Sequence, residues 1–225
     1  MGQRSKTERR FKIGWPTDDG VTAPDVDESA VVDVHFDIIG NTIPIDHGYT
    51  LFLELSRILP WIATEDLVGI HPIQGADTGH GEYILNRRTK IVVRVPSNRA
   101  EELLTLTGKT IHFGSNKVEI GKGKVKPLSL HTPLYAHCVT TGSTDEQTFA
   151  SDVIKLLDEK KLTTRFICGR RQTISTAEGV VYGYSLMLHD LPIEHAILLQ
   201  QTGIGSNRKL GCGIFIPHKS IAALT

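Results

Sequence analysis

The stretch RFICGRRQTISTAEGVVYGYSLMLHDL (165–191) contains two runs rich in β-branched and aromatic residues, joined only by Ala177-Glu178-Gly179. Two strands with so short a connection pair antiparallel, because a parallel crossover needs a dozen residues or more. A strand precedes this hairpin, PLYAHCVTTG (133–142), followed by a helix, TDEQTFASDVIKLLDEKKL (144–162), with a threonine cap and a glutamine at the capping-box position. After the hairpin comes PIEHAILLQQTG (192–203), a helix opened by proline, and then the strand GCGIFIPHKSI (211–221). The order is β-α-β-β-α-β. Alternation of strands and helices also suits a doubly wound sheet, but the uninterrupted strand pair favours the split-βαβ, ferredoxin-like arrangement.

The first half repeats the order. VVDVHFDIIG (31–40) is a strand, and GYTLFLELSRILPWI (48–62) places Leu51, Phe52, Leu55, Ile58 and Leu59 at helical spacing. VGIHPIQG (68–75) and ILNRRTKIVVRVP (84–96) read as strands, SNRAEELLTLTG (97–108) as a capped helix, and KTIHFGSNKVEIGKGKVKPL (109–128) as a closing strand with a Gly-Ser-Asn turn. The expected class is therefore α+β, with two tandem ferredoxin-like (βαββαβ, RRM-like) domains over 30–130 and 131–225. Residues 1–29, polar and without periodicity, read as a flexible arm.

Composition excludes several classes. No apolar run approaches the ~18 residues that span a bilayer. The basic start, MGQRSKTERRFKI, has no apolar segment behind it, so it is not a secretory signal. Cys138, Cys168 and Cys212 are far apart and form no CxxC pair, so neither a zinc site nor a disulfide framework is expected, and a reducing cytoplasm fits. The net charge is zero, yet residues 13–80 hold twelve acidic residues and one basic, whereas residues 81–130 hold ten basic and four acidic. Screening confines fields to about 8 Å, so one basic face can hold a polyanion.

Between the last helix and the last strand lies Gly203-Ile204-Gly205-Ser206-Asn207-Arg208-Lys209-Leu210-Gly211-Cys212-Gly213. A dinucleotide fingerprint follows a strand and opens a helix, whereas this element does the reverse. A phosphate loop of the GxxxxGK type is absent. A tight helix-to-strand turn is one reading. The other is a nucleic-acid loop, in which Gly203, Gly205, Gly211 and Gly213 let the backbone approach phosphates and Asn207, Arg208 and Lys209 supply polar contacts.

This element resembles the C-terminal glycine-rich loop of the RAMP superfamily. The chain over 31–221 is similar to its CRISPR-associated repeat endoribonucleases, the sixth Cas protein family. TIPIDHGYTLFLELSRILP (42–60), VGIHPIQG (68–75), CGRRQTI (168–174) and KLGCGIFIPHK (209–219) resemble the myxobacterial and cyanobacterial subtype. The resemblance implies that a CRISPR repeat RNA stem-loop is bound and cut by its own 2′-hydroxyl. The products would be 2′,3′-cyclic phosphate and 5′-hydroxyl ends, formed without metal or other cofactor. It also implies retention as a subunit of an RNA-guided complex with other CRISPR effector subunits. The family's catalytic histidine lies in or near the first helix, which matches His47, with Tyr49 beside it to orient the phosphate or donate a proton. His80, between glycines, is the second candidate. Histidine suits the task because its reference pKa of about 6.5 lies near neutrality.

For backbone tracking the sequence offers Arg87, Arg88, Lys90 and Arg94 on or beside one strand, Lys122, Lys124 and Lys126 on another, and Arg170 and Arg171 in the second hairpin. Two other readings stand beside the nuclease: a module that holds the repeat without cutting it, and a small-ligand regulatory domain.

Overall fold

The computed structural model describes residues 26–218; residues 1–25 of the expected arm and residues 219–221 of the last expected strand lie outside them. The chain is an α+β protein. Its elements run β1 (Val31–Ile39), β2 (Thr42–Pro44), α1 (Gly48–Ile58), α2 (Trp61–Thr64), β3 (Gly69–Ile70), β4 (Ala76–Asp77), β5 (Glu82–Ile84), β6 (Lys90–Pro96), α3 (Ala100–Leu104), β7 (Thr110–Phe113) and β8 (Asn116–Pro127). There follow β9 (Leu134–Val139), α4 (Glu146–Glu159), β10 (Arg165–Thr176), β11 (Gly179–His189), α5 (Ile193–Thr202) and β12 (Ile216–Pro217).

The first sheet has the order β3-β6-β1-β8-β7 and the second β10-β11-β9-β12, with antiparallel pairing throughout. In both, the first long strand lies centrally, between its two later partners. Alternation along β1 sends Val34 and Phe36 into the first core, where they meet Leu51 and Leu55 of α1 and Leu103 of α3. Asp33, His35 and Asp37 take the opposite face, on which Asp33 is buried and Asp37 exposed. In the second core, Ala136, Leu186 and Leu188 pack with Phe149 and Val153 of α4 and Leu199 of α5.

Several expected elements are shorter. The strand expected over 84–96 is interrupted: Asn86 closes a turn by accepting from the Arg88 amide (2.8 Å), and Thr89 N donates to Asn86 O (2.9 Å). Residues before the turn join a separate three-stranded sheet, β2-β5-β4. The helix expected over 97–108 is a 3-10 turn plus α3, and the segment after it splits into the β7–β8 hairpin. The cap of α4 is Asp145 rather than Thr144. Its backbone is extended (φ −105°, ψ 151°), and its carboxylate accepts from Thr148 N. The last strand keeps only two residues, because amides before it bond to Cys138 and Asn207 carbonyls.

The halves are joined by Arg94. This side chain is 1% exposed, pairs with both Asp33 oxygens (2.7 and 2.8 Å), and donates to the carbonyls of Gln200 (2.8 Å) and Phe215 (2.9 Å).

Candidate functional site

The glycine-rich loop leaves α5 at Gly203 (φ 68°) and runs over the end of β9. Ser206 N donates to Thr140 O (3.1 Å) and Gly213 N to Cys138 O (2.7 Å). Asn207 is left-handed (φ 62°), and its carbonyl accepts from Leu210 N and Cys212 N, closing a 3-10 turn over Arg208–Leu210. Gly205 has φ 77°, and a Cβ there would run into Thr140 O, so only glycine follows this path. Six loop amides (Gly203, Ser206, Leu210, Gly211, Cys212, Gly213) are bonded to the protein's own carbonyls. The loop thus offers a ligand less backbone than its glycines suggest.

Its cations face the first half. Lys209 Nζ donates to Ala63 O (2.6 Å). Arg208 Nη2 lies 3.5 Å from Leu67 O, while its Nε and Nη1 are buried without partners. Burial lowers the Arg208 pKa to about 10, and Arg94 nearby adds to the shift.

A groove of about 420 Å³ opens where three elements converge. Tyr49 and Phe52 of α1 form one wall, Thr176, Glu178 and Val181 of the β10–β11 hairpin another, and Gly205 to Leu210 a third. Two contacts hold this junction. Gly48 brings the start of α1 so close to the loop that a Cβ would lie 2.6 Å from Leu210 O. Asp46 Oδ2 accepts from Ser175 N near the hairpin tip (3.0 Å). The turn at 177–179 was legible in the sequence, but its docking against α1 was not, since Asp46 and Ser175 are 129 residues apart.

The two candidate histidines flank this junction in different states. His47 is 4% exposed and packs edge-on toward Tyr83 and Phe113. Its Nδ1 donates to Pro44 O (3.0 Å) and Ile45 O (2.9 Å), and its Nε2 accepts from Ile73 N (2.9 Å). Both nitrogens are thus engaged with buried backbone, and burial lowers its pKa, keeping the ring neutral. In this geometry His47 pins the start of α1 to the segment after β3. His80 is exposed, in the turn between β4 and β5. That turn lies against the α1 mouth, because Ile45 N donates to Gly81 O (2.9 Å). Tyr49, half-buried, lines the groove itself.

The expected cations divide. Arg94 is a buried clamp between the halves, which corrects its assignment to a surface stripe. Burial alone would raise the Asp33 pKa, but Arg94 outweighs it and holds the carboxyl well below the usual range. His71 lies 3.4 Å from the same carboxylate without hydrogen-bond geometry, and burial lowers its pKa. Lys90 pairs with Asp37 and donates to Arg87 O (2.8 Å). Arg87 and Arg88 are exposed in the turn before β6. Lys122, Lys124 and Lys126 are exposed on β8, with Lys124 opposite His35 and Lys126 opposite Asp33. Arg170 and Arg171 lie at a register shift in the edge strand β10, both exposed, with the Arg171 guanidinium 4.5 Å from the Tyr182 ring centroid. Among the described residues, no three of His, Cys, Asp or Glu gather as a bound metal ion would require.

A model of the Cas6 Crispr family matches residues 32–220. The CRISPR-associated endonuclease Cas6 of Myxococcus xanthus (strain DK1622) is 29% identical over 187 residues, which cover 83% of this chain and 81% of that protein. Among solved structures, a CRISPR-associated protein Cas6 aligns with a TM-score of 0.62 at 11% identity, over 84% of this chain and 100% of that one. A RAMP protein binding different RNA substrates gives 0.60 at 11%, over 84% and 100%. A Cas6-related protein from Pyrococcus furiosus gives 0.58 at 12%, over 82% and 97%. These structural likenesses concern the fold. No helix among the described residues is long and apolar enough to cross a membrane.

Proposed function

The chain belongs to the Cas6 family of CRISPR-associated endonucleases, and from that premise we propose that it binds a CRISPR repeat stem-loop and cuts it at the groove between its halves. The observation that carries this reading is the convergence of Tyr49, the β10–β11 tip and the glycine-rich loop on one groove. A scissile phosphate lies there against the start of α1, whose amide dipoles favour an anion. The RNA's 2′-hydroxyl attacks that phosphate, giving a 2′,3′-cyclic phosphate and freeing a 5′-hydroxyl.

His80 takes the proton of the 2′-hydroxyl, since it is the exposed histidine in the turn beside the α1 mouth. Tyr49 orients the phosphate or protonates the leaving oxygen. Arg170 and Arg171 track the backbone toward the groove along β10, and Arg87, Arg88, Lys122, Lys124 and Lys126 offer a second basic surface. Asn207 contributes a polar contact, with Gly203, Gly205, Gly211 and Gly213 shaping the loop it stands on. Two ferredoxin-like domains, 30–130 and 131–225, are the architecture behind this site; the matching strand orders of the two sheets support that division. After cutting, the protein stays on its RNA as a cytoplasmic subunit of a larger RNA-guided complex.

The test is repeat RNA from the array beside the gene, incubated in excess EDTA with wild type, His80→Ala and His47→Asn. Loss of a general base costs about 10²- to 10⁴-fold in rate. That loss in His80→Ala, with binding kept and His47→Asn still cutting, supports the assignment. The reverse pattern returns the role to His47. Binding without cleavage by the wild type would leave a repeat-holding module.

A further inference from the structure

The second sheet has an open face that the groove does not use. Leu134, Ala136, Leu186 and Leu188 point into the core beneath α4 and α5, so the residues alternating with them point outward. One outward row crosses all four strands: Ile167 pairs with Met187, Met187 with Tyr135, and Tyr135 with Ile216. Ile167 is 51% exposed and Ile216 41%, while Met187 and Tyr135 are half-buried. Beside this row stands the exposed His218 ring, its centroid 5.5 Å from that of Tyr135 and tilted by 52°. The backbone of His218 is tied down by its N–H, which donates to Pro133 O (2.9 Å).

We propose that this row is a stacking platform for unpaired nucleobases that flank the stem in the RNA substrate. The inference rests on the reading of the protein as a repeat-RNA nuclease and adds a second binding site to it. Single-stranded nucleic acid is held where aromatic and apolar faces meet bases and cations follow the backbone. Both parts are present. Tyr135 and Met187 occupy the two central strands, flanked by the isoleucines; on the adjoining edge strand β10, Arg165 is exposed on the same face beside Asp190 (3.5 Å), and Arg170 is exposed at the register shift.

That strand links the platform to the groove. Ile167 lies on the platform and Thr176 on the groove wall, about 30 Å apart at the usual rise of a strand. A few unpaired nucleotides bridge that span. A protein partner suits the row less well, because stable interfaces cover about 800 Å² per partner with 20 or more residues, and five side chains fall far short.

The test compares the affinities of two synthetic RNAs, the bare repeat stem-loop and the same stem-loop with its unpaired flanks. Wild type, Tyr135→Leu and His218→Ala are used; leucine keeps an apolar side chain on β9 and removes only the ring. Wild type should bind the flanked RNA about tenfold more tightly, as loss of one stacked base implies. Tyr135→Leu should abolish most of that advantage, and His218→Ala part of it. A photoactivatable 4-thiouridine in the flank should crosslink to β9 or the 216–218 segment. Equal affinity of the wild type for both RNAs overturns the platform, as does an advantage that survives Tyr135→Leu. A self-association lost in the variants while RNA affinity stays unmoved also overturns it and assigns the row to protein contact. Failure of the wild type to bind or cut the bare stem overturns the nuclease reading instead.

Discussion

Arg94 on β6 and Arg171 on β10 are both strand arginines that local sequence assigns to the same task, and their surroundings set them apart. Arg94 has no room for a ligand, since a carboxylate and two carbonyls take its donors and the fold closes over it. Arg171 is exposed on an edge strand, its guanidinium over Tyr182. Among the described residues, Arg171, Arg170 and Lys122, Lys124 and Lys126 have no carboxylate within 4.0 Å. The lesson concerns accounting for charge: a cation used to join two halves of a fold is not available to RNA, whatever its neighbours in sequence. Arg208 and Lys209 fall between these cases, lining the groove while their cationic ends face the first half.

The strongest way to break this comparison is to remove the clamp. Arg94→Ala leaves Asp33 buried without its guanidinium partner, and should cost about 3–5 kcal/mol in urea unfolding. Replacing Asp33 and Arg94 together by apolar residues should recover much of that loss, because the desolvation penalty disappears with the charge. A small effect for Arg94→Ala would mean the clamp is not holding the halves. A smaller loss is expected for His47→Ala, about 1–3 kcal/mol, since the buried Ile73 amide loses its acceptor.

The same contrast predicts a pH dependence. Burial lowers the pKa of His35, His47, His71 and His137. Below about pH 6.5 the unfolded chain takes up protons at these sites while the native chain does not. The native state then binds fewer protons, so stability falls as the pH drops through 6.5 and levels off below the native pKa values. Thermal melts between pH 7.5 and 5.5 check this, and a flat profile would argue against neutral buried rings. The smallest expected effect belongs to the exposed side. Arg171→Ala should reduce the slope of log affinity against log salt by about 1, the signature of one lost phosphate contact. An unchanged slope would remove Arg171 from the RNA path.

What was legible in the sequence was what neighbouring residues encode. The 165–191 hairpin, the turns of the glycine-rich loop and the α+β class follow from periodicity and turn residues within about ten positions, whereas β2, α2, β4 and β5 of the first half did not show in it. Even the error at the α4 cap was local, one residue along from Thr144 to Asp145. Helix α3 gives way to i→i+3 turn bonds, the segment after β3 gives its Ile73 amide to the His47 ring, and amides before β12 bond to the Cys138 and Asn207 carbonyls, none of which periodicity registers.

The sequence by itself determined where the chain bends, which side chains enter the cores, and which residue types are available for chemistry. Only the tertiary structure decided which of them are free to use it. His47 accepts from the Ile73 amide 26 positions away, and Arg94 reaches carbonyls 106 and 121 positions away. Periodicity is written in adjacent residues, whereas a polar side chain takes whichever partner the folded chain brings within about 3 Å, and that partner is set by packing rather than by sequence distance.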